Sequence, residues 1–365
     1  MNNNTPEIRF KGFTDAWEQR KLGEVAPLQR GFDLPKSEVV NGKYPVVMSN
    51  GILHYHNEYK AKAPGVVTGR SGTIGKLHFI ENDYWPHNTA LWVTNFMENL
   101  PKFVYHLYDK VDLSRFGTGT GVPTLNRNDV HNGSTNIPCA DEQKKIVLFL
   151  DALDDTITLH KRKLSRLKEL KRGYLQQMFP QTGENMPRVR FDGFTGAWEE
   201  RKLGEVVESE IKGKAKAEML GFESIYLDAS YLNGGEQFFV DSPTNVQTVD
   251  VLILWDGSQA GTVYHGFTGA LGSTLKAYKP KYSGSFLYQQ LMKNQQKIYD
   301  SYRTPNIPHV IKTFTDEFAI NIPTPSEQIA IGNFFQNFDE QISTQQQKLS
   351  QLKQLKSAYL QKMFV

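Results

Sequence analysis

The residues that could do chemistry are few. Gly69-Arg70-Ser71-Gly72-Thr73-Ile74-Gly75-Lys76 has the outline of a phosphate-cradling loop. That motif needs glycine where Arg70 stands and a hydroxyl residue where Leu77 stands, so a turn between strands is the better reading. Gly117-Thr118-Gly119-Thr120-Gly121 is a second Gly-rich stretch. A dinucleotide fingerprint would need a helix after it, and Pro123 follows instead. It reads as a surface loop whose hydroxyls and amides suit a phosphate backbone. Glu142-Gln143-Lys144 has the Glu-x-Lys form of some nuclease sites, but no acidic partner precedes it. A glutamate early in a helix also suits the positive end of the helix dipole. His54 and His56 could share one strand face, yet two histidines do not complete a zinc site. Cys139 is the single cysteine, which excludes an intrachain disulfide and favours an intracellular compartment. Lys161–Arg172 holds seven basic residues against Glu169. It suits a phosphate backbone, an acidic partner or plain solvent.

Turn regions add Arg70, Ser71, His87, Asn88, Arg127, Trp255, Asp256, Ser258, Gln259, Arg303 and Asn306. Arginine suits guanine edges, and asparagine or glutamine suits adenine edges. The same residue types populate any loop. Their meaning depends on what positions them.

The positioning elements are written twice. Arg9–Val25 and Arg190–Val206 agree at 14 of 17 positions, 181 residues apart. Ile137–Phe179 and Ile322–Phe364 agree at 20 of 43 positions, 185 apart. Between these frames lie Ala26–Asn136 and Val207–Asn321, similar in length and little alike in sequence. Both contain a strand that enters a Gly-rich turn, at Val66–Gly72 and Ile253–Ser258. A constant frame around divergent inserts predicts one fold carrying two different surfaces.

The closing segments show a 3.5-residue apolar period. One seam runs through Leu150, Leu153, Ile157, Leu164 and Leu167. The other runs through Phe335, Phe338, Ile342, Leu349 and Leu352. Polar breaks recur in both copies, His160 with Gln345 and Lys171 with Lys356. Such seams predict coiled-coil helices of roughly 39 residues, about 58 Å long. Asp141 and Ser326 are the expected N-caps. The simplest arrangement pairs the two seams with each other, antiparallel and with a pseudo-two-fold repeat. The expected class is α+β, with two similar α/β domains separated by two long helices. The expected segments are 1–137, a helix at 138–180, a linker at 181–189, 190–322, and a helix at 323–365.

Composition fits a globular chain. Hydrophobic residues are 39% of 365, and a formal charge of +3 neither demands nor forbids nucleic acid. No apolar run approaches the ~18 residues of a membrane span. Met1-Asn2-Asn3-Asn4 is unlike a secretory leader. A cytoplasmic location is expected.

The constellation resembles the specificity subunit of type I restriction–modification enzymes over nearly the whole chain. The likeness rests on the duplicated Trp17–Val25 and Trp198–Val206 motifs. It rests also on the Ile-Pro…Glu-Gln entries to both helices and on their Tyr-Leu-Gln-x-Met-Phe ends. The resemblance implies two target recognition domains, each reading half of a bipartite, asymmetric DNA site. It implies that the helices set the spacer and that this chain does no catalysis. Two methylation subunits would dock on it, and restriction–translocation subunits would join them. The methylation partner would bind S-adenosylmethionine, and the motor subunit ATP and magnesium. No cofactor is expected in this chain. The absence of an Asn/Asp-Pro-Pro-Tyr motif fits that division of labour. The resemblance places Arg70, Ser71, Thr73, Trp255, Asp256 and Ser258 at DNA. The loops holding Thr118, Thr120 and Thr124, and Arg303, Asn306 and His309, are placed similarly, with Asn88 and Gln259 beside the turns. Without the resemblance, a lone nuclease and a tandem glycan-type binding module on a coiled coil remain open.

Overall fold

The computed structural model describes residues 4–119, 121 and 123–365. Thr120 lies outside the described residues. The chain forms two compact units. Unit 1 runs to Lys161 and takes in Lys348–Val365; unit 2 is Arg162–Gln347.

Both units are built alike. In unit 1 a four-stranded antiparallel sheet has the order Leu28–Arg30, Ala90–Val93, Gly65–Gly69, Leu77–Ile80. In unit 2 the order is Val207–Lys212, Leu275–Pro280, Val251–Leu254, Val263–His265. The strands Gly65–Gly69 and Val251–Leu254 are buried along their whole length. Each unit adds a three-stranded sheet with one parallel pair, Tyr44–Met48 with Trp85–Pro86 and Leu220–Leu227 with Ala270–Leu271. A short ribbon closes each frame, Glu18–Lys21 with Ser134–Ile137 and Glu199–Lys202 with Ala319–Ile322.

The long helices are Ala140–Gln177 and Pro325–Met363, of 38 and 39 residues. They start earlier than the expected caps. Asp141 and Ser326 fall in the first turn, and the first helical bonds run from Gln143 N to Cys139 O and from Gln328 N to Thr324 O. The shift has a simple cause in the second helix. Pro325 has no N–H to lose, so it takes the first helical position.

Each unit contains the start of one long helix and the end of the other. In unit 1, Phe364 stacks on Phe103 at 5.5 Å and meets Trp17 edge-on at 6.0 Å. In unit 2, Phe179 stacks on Phe286 at 5.6 Å and meets Trp198 edge-on at 5.8 Å. Within each unit the two helix segments therefore run antiparallel, as the matched seams predict. The seam positions named above are all buried or half-buried.

The polar breaks at Lys171 and Lys356 are cross-helix ion pairs. Lys171 Nζ lies 2.6 Å from Asp339 in unit 2, and Lys356 Nζ lies 2.8 Å from Asp154 in unit 1. A charged pair inside an apolar seam penalises slipped registers, because slippage would strand each charge.

The repeated opening motif is anchored on the helix starts. Arg9 donates Nε and Nη2 to the two Glu142 oxygens at 2.7 and 2.8 Å. Arg190 does the same to Glu327 at 2.6 and 2.7 Å. Glu142 and Glu327 are 1% and 0% exposed. The Glu142 hydrogen bond is the main cause that raises Arg9 above the usual guanidinium value. Glu142 is thus a structural anion, and its Glu-x-Lys context has no catalytic meaning. His54 and His56 lie two apart on the strand Gly51–His56; His56 is buried edge-on against Trp85, and no His/Asp/Glu cluster among the described residues includes either.

Two expectations follow. Glu142→Ala leaves Arg9 buried without its partner and destabilises unit 1 by roughly 3–5 kcal/mol, measured by hydrogen exchange across Phe103–Val111. The second concerns His106, which is buried against Asp151 at 3.2 Å. Burial lowers its pKa below 6.5, outweighing the Asp151 hydrogen bond that raises it. A His held neutral in the fold costs stability as pH falls below 6.5, because the unfolded chain takes up the proton first. Unit 2 carries Gln289 in the corresponding place, donating to Asp339 at 2.9 Å. His106→Gln should flatten the decline of unfolding free energy between pH 6.5 and 5; an unchanged slope would assign that decline to other histidines.

Candidate nucleic-acid interface

The Gly-rich turns and the later loops meet in both units, held by the same backbone bonds. In unit 1, Leu125 N donates to Arg70 O at 2.7 Å and Gly72 N to Pro123 O at 3.3 Å. In unit 2, Val310 N donates to Trp255 O at 2.9 Å and Gly257 N to Pro308 O at 2.9 Å. Ser71 bridges Thr124, and Asp256 bridges His309. From the other side, Arg70 N and Ser71 N donate to Thr89 O at 2.9 and 3.2 Å. Trp255 N and Asp256 N donate to Thr274 O at 2.8 and 3.2 Å. Every matched pair is 185 residues apart. One clamp thus presents Arg70, Ser71 and Thr124 in unit 1, and Trp255, Asp256 and His309 in unit 2.

The tightness of the clamp explains the glycines. A Cβ on Gly69 would stand 1.8 Å from Thr73 O. Gly72 and Gly257 adopt φ of 78° and 114°, a region that costs other residues strain.

Unit 1 gathers most of its predicted residues. Arg70 and Ser71 are half-buried in the clamp, and Thr73 is exposed on the same turn. Thr118 donates its hydroxyl to Thr124 O at 3.4 Å across a short hairpin. Asn88 donates to Asp33, which also pairs with Arg30 at 3.3 Å. His87 lies beside this group; burial lowers its pKa, against an opposing pull from Asp33. Arg30, Asp33 and His87 therefore join the face. Arg30 and Asp33 were not singled out from sequence, since a strand-end Arg and a loop Asp carry no motif.

Unit 2 is more aromatic and more charged. Lys276 Nζ sits 3.5 Å from the Trp255 ring centroid and 2.5 Å from Glu210. A cation over an indole face is attracted by the ring quadrupole. An open pocket of about 560 Å³ beside Trp255 is lined by Lys212, Ser273, His309 and Lys312 among others. Arg303 donates to Ser258 O at 3.2 Å and lies 5.0 Å from the Tyr299 ring centroid. His309 Nδ1 lies 3.0 Å from both the Thr304 hydroxyl and Ile307 O. Asp256, Ser258, Gln259 and Asn306 are exposed. Glu210, Lys212 and Lys276 were missed, because strand pairing alone brings them to the turn, and Lys312 was missed in a loop that carries no motif.

A cluster of His106, Asp151 and Asp154 could in principle hold a metal. Lys356 already sits 2.8 Å from Asp154, and Lys102 3.5 Å from Asp151. Two ammonium groups meet these carboxylates, so the cluster is a salt-bridge network.

A family model described as the type I restriction modification DNA specificity domain matches residues 14–169 and again 196–354. The MjaVIII type I restriction enzyme specificity subunit of Methanocaldococcus jannaschii is 29% identical over 178 residues. That match spans 46% of this chain and 42% of the relative, less than half of either. The S subunit of a type I restriction–modification system from M. genitalium has a TM-score of 0.77 at 17% identity, over 99% of both chains. A chain from a structure on assembly and conformational transition of the type I R-M system has a TM-score of 0.50 at 18% identity, over 95% of this chain and 97% of that one. These structural likenesses speak to the fold. The family model matches once on each copy of the repeat and covers most of the sequence, and the chain belongs to the type I restriction–modification DNA specificity family.

Proposed function

We propose that this chain is the DNA sequence-recognition subunit of a type I restriction–modification complex, with no catalysis of its own. Residues 1–137 and 190–322 are the two target recognition domains, joined through the helices at 138–180 and 323–365 and the linker at 181–189. Each reads one half of a bipartite, asymmetric site in double-stranded DNA. The observation that carries this reading is the clamp repeated at a constant 185-residue offset with unlike side chains on it. A device built twice from the same backbone and dressed differently suits two different half-sites.

Arg70, Ser71, Thr73, Asn88, Thr118, Thr120 and Thr124 serve one half-site. Trp255, Asp256, Ser258, Gln259, Arg303, Asn306 and His309 serve the other. Arg70 can donate two bonds to guanine O6 and N7, and Asp256 can accept from cytosine N4. The paired helices set the unspecified spacer, with half-sites about one DNA turn, roughly 34 Å, apart.

Two methylation subunits dock on the chain. Two corresponding pockets support this stoichiometry. One is lined by Ala16, Glu18, Arg20, Pro138 and Gln143, the other by Ala197, Glu199, Arg201, Pro323 and Gln328. These residues are identical between the copies, so the pockets fit two copies of one partner. S-adenosylmethionine belongs to that partner, and ATP and magnesium to the restriction–translocation subunits. Among the described residues no helix is long and apolar enough to cross a membrane, and DNA as ligand puts the work in the cytoplasm.

The test is a methylation map. The chain is co-expressed with its methylation subunit in a host lacking DNA methylation, and modified bases are read across the genome. Methylated adenine in a split motif with a fixed gap is expected. Arg70→Ala should relax or abolish one half of the motif, and Trp255→Ala the other. Absence of methylation with both proteins soluble and associated would overturn the reading, and equal damage to both halves by either variant would remove the two-reader model.

A further inference from the structure

Unit 2 carries a cationic edge that unit 1 lacks. The strand Val207–Lys212 continues through Lys216 as a chain fastened at its backbone. Gly213 N donates to Leu275 O, and Lys214 N and Ala215 N to Leu271 O, all at 3.0 Å. Ser273 N donates back to Ala215 O at 3.0 Å. A Cβ on Gly213 would lie 1.8 Å from Gly272 O, so only glycine fits. Gly213 and Ala215 are buried, while Lys212, Lys214 and Lys216 are exposed. The alternation of burial leaves all three lysines on the solvent side of this chain. Among the described residues none of the three forms an ion pair. Lys212 also lines the pocket beside Trp255 with Lys312. Of the two carboxylates lining that pocket, Glu210 is matched by Lys276 and Asp256 belongs to the turn.

The corresponding backbone in unit 1 is dressed otherwise. Gly31 N donates to Ala90 O at 3.0 Å, as Gly213 does to Leu275. A Cβ on Gly31 would lie 2.2 Å from His87 O. Phe32 bridges His87 as Ala215 bridges Gly272. The side chains there are Arg30, Phe32, Asp33 and Leu34, and Arg30 is paired with Asp33 at 3.3 Å. One matched cation stands where unit 2 has three unmatched ones.

We infer that Lys212, Lys214 and Lys216, extended by Lys312, form a track for the sugar–phosphate backbone of duplex DNA. Unit 2 then supplies the larger share of sequence-independent grip, and unit 1 binds mainly through its base-reading turn. The inference rests on the DNA-recognition reading above. Each phosphate contact releases condensed counterions and steepens the salt dependence of binding by about 0.9 in log–log slope. Such contacts carry no sequence information.

The test uses the complex of the full chain with its methylation subunit. Affinity is titrated against potassium chloride on two duplexes, one with the mapped motif and one scrambled. The Lys212→Gln/Lys214→Gln/Lys216→Gln variant should lower the steepness of the slope by about 2–3 and weaken both duplexes by the same factor, at least about tenfold at 0.1 M salt. Its methylation motif should stay the same. The corresponding Lys→Arg variant should keep the wild-type slope, which separates loss of charge from loss of fold. Lys36→Gln/Lys43→Gln/Lys62→Gln in unit 1 removes equal charge and should change the slope by less than about 1. An unchanged slope in the unit 2 variant overturns the track while leaving DNA recognition standing. An equal change in the unit 1 variant also overturns it, by reducing the effect to net charge. Wild-type complex that binds neither duplex in a salt-dependent way overturns both readings.

Discussion

A buried carboxylate that must be met by a guanidinium sets the geometry of each unit. Glu142 and Glu327 sit in the first turn of a long helix with almost no solvent. An unmatched charge there would cost several kcal/mol. Arg9 and Arg190 match both oxygens in a two-pronged bond, the geometry that favours arginine over lysine. Trp17 Nε1 adds a third donor to Glu142 at 3.2 Å. The pair ties the opening motif to the helix start, and the ribbon of Glu18–Lys21 with Ser134–Ile137 lies between them. The bond fixes the start of each long helix against an opening motif.

The far ends of the helices matter as much, because neither copy of the repeat completes its own core. Phe364, from the second copy, fills the space between Trp17 and Phe103 of the first. Phe179, from the first copy, fills the space between Trp198 and Phe286 of the second. Exchange of helix ends explains why Tyr-Leu-Gln-x-Met-Phe is kept in both. Met178, Phe179, Met363 and Phe364 are all nearly inaccessible to solvent. The ion pairs Lys356–Asp154 and Lys171–Asp339 hold the register within each unit. A slip by one heptad would part both lysines from their aspartates, leaving Lys171 opposite Gly332 or Gln346 and Lys356 opposite Val147 or Lys161.

The frame was legible because its chemistry repeats in sequence. Matching polar breaks at Lys171 and Lys356 announced that the seam was specified twice, though the partner aspartates lie 168 and 202 residues away and could not be named. The turns and the loops clamped to them were legible only in part. Val66–Gly72 and Ile253–Ser258 look alike, so the turns could be found. The loops before the helices share little sequence beyond Pro123 and Pro308, yet Leu125 and Val310 donate the same backbone bond. Backbone hydrogen bonds ask nothing of the side chain, so equivalence of this kind leaves no trace in residue identity. Arg30, Lys212 and Lys276 escaped notice for a related reason. Strand pairing across 60 or so residues carries them to the turn, and pairing is not a motif.

The same property explains how one fold can carry two different surfaces. The clamp is made of N–H and carbonyl groups at Arg70, Gly72, Thr89, Pro123 and Leu125, and at the five residues 185 positions later. Its stability depends on two glycines and on buried strands behind it, and hardly on what projects from it. Arginine at one turn and tryptophan at the other therefore cost the fold little. Charge can diverge under the same protection. The overall charge of +3 hides a lysine-lined edge in unit 2 and a matched Arg30–Asp33 pair in unit 1. Net charge averages over surfaces that the backbone keeps apart, so it says little about where a polyanion would be gripped.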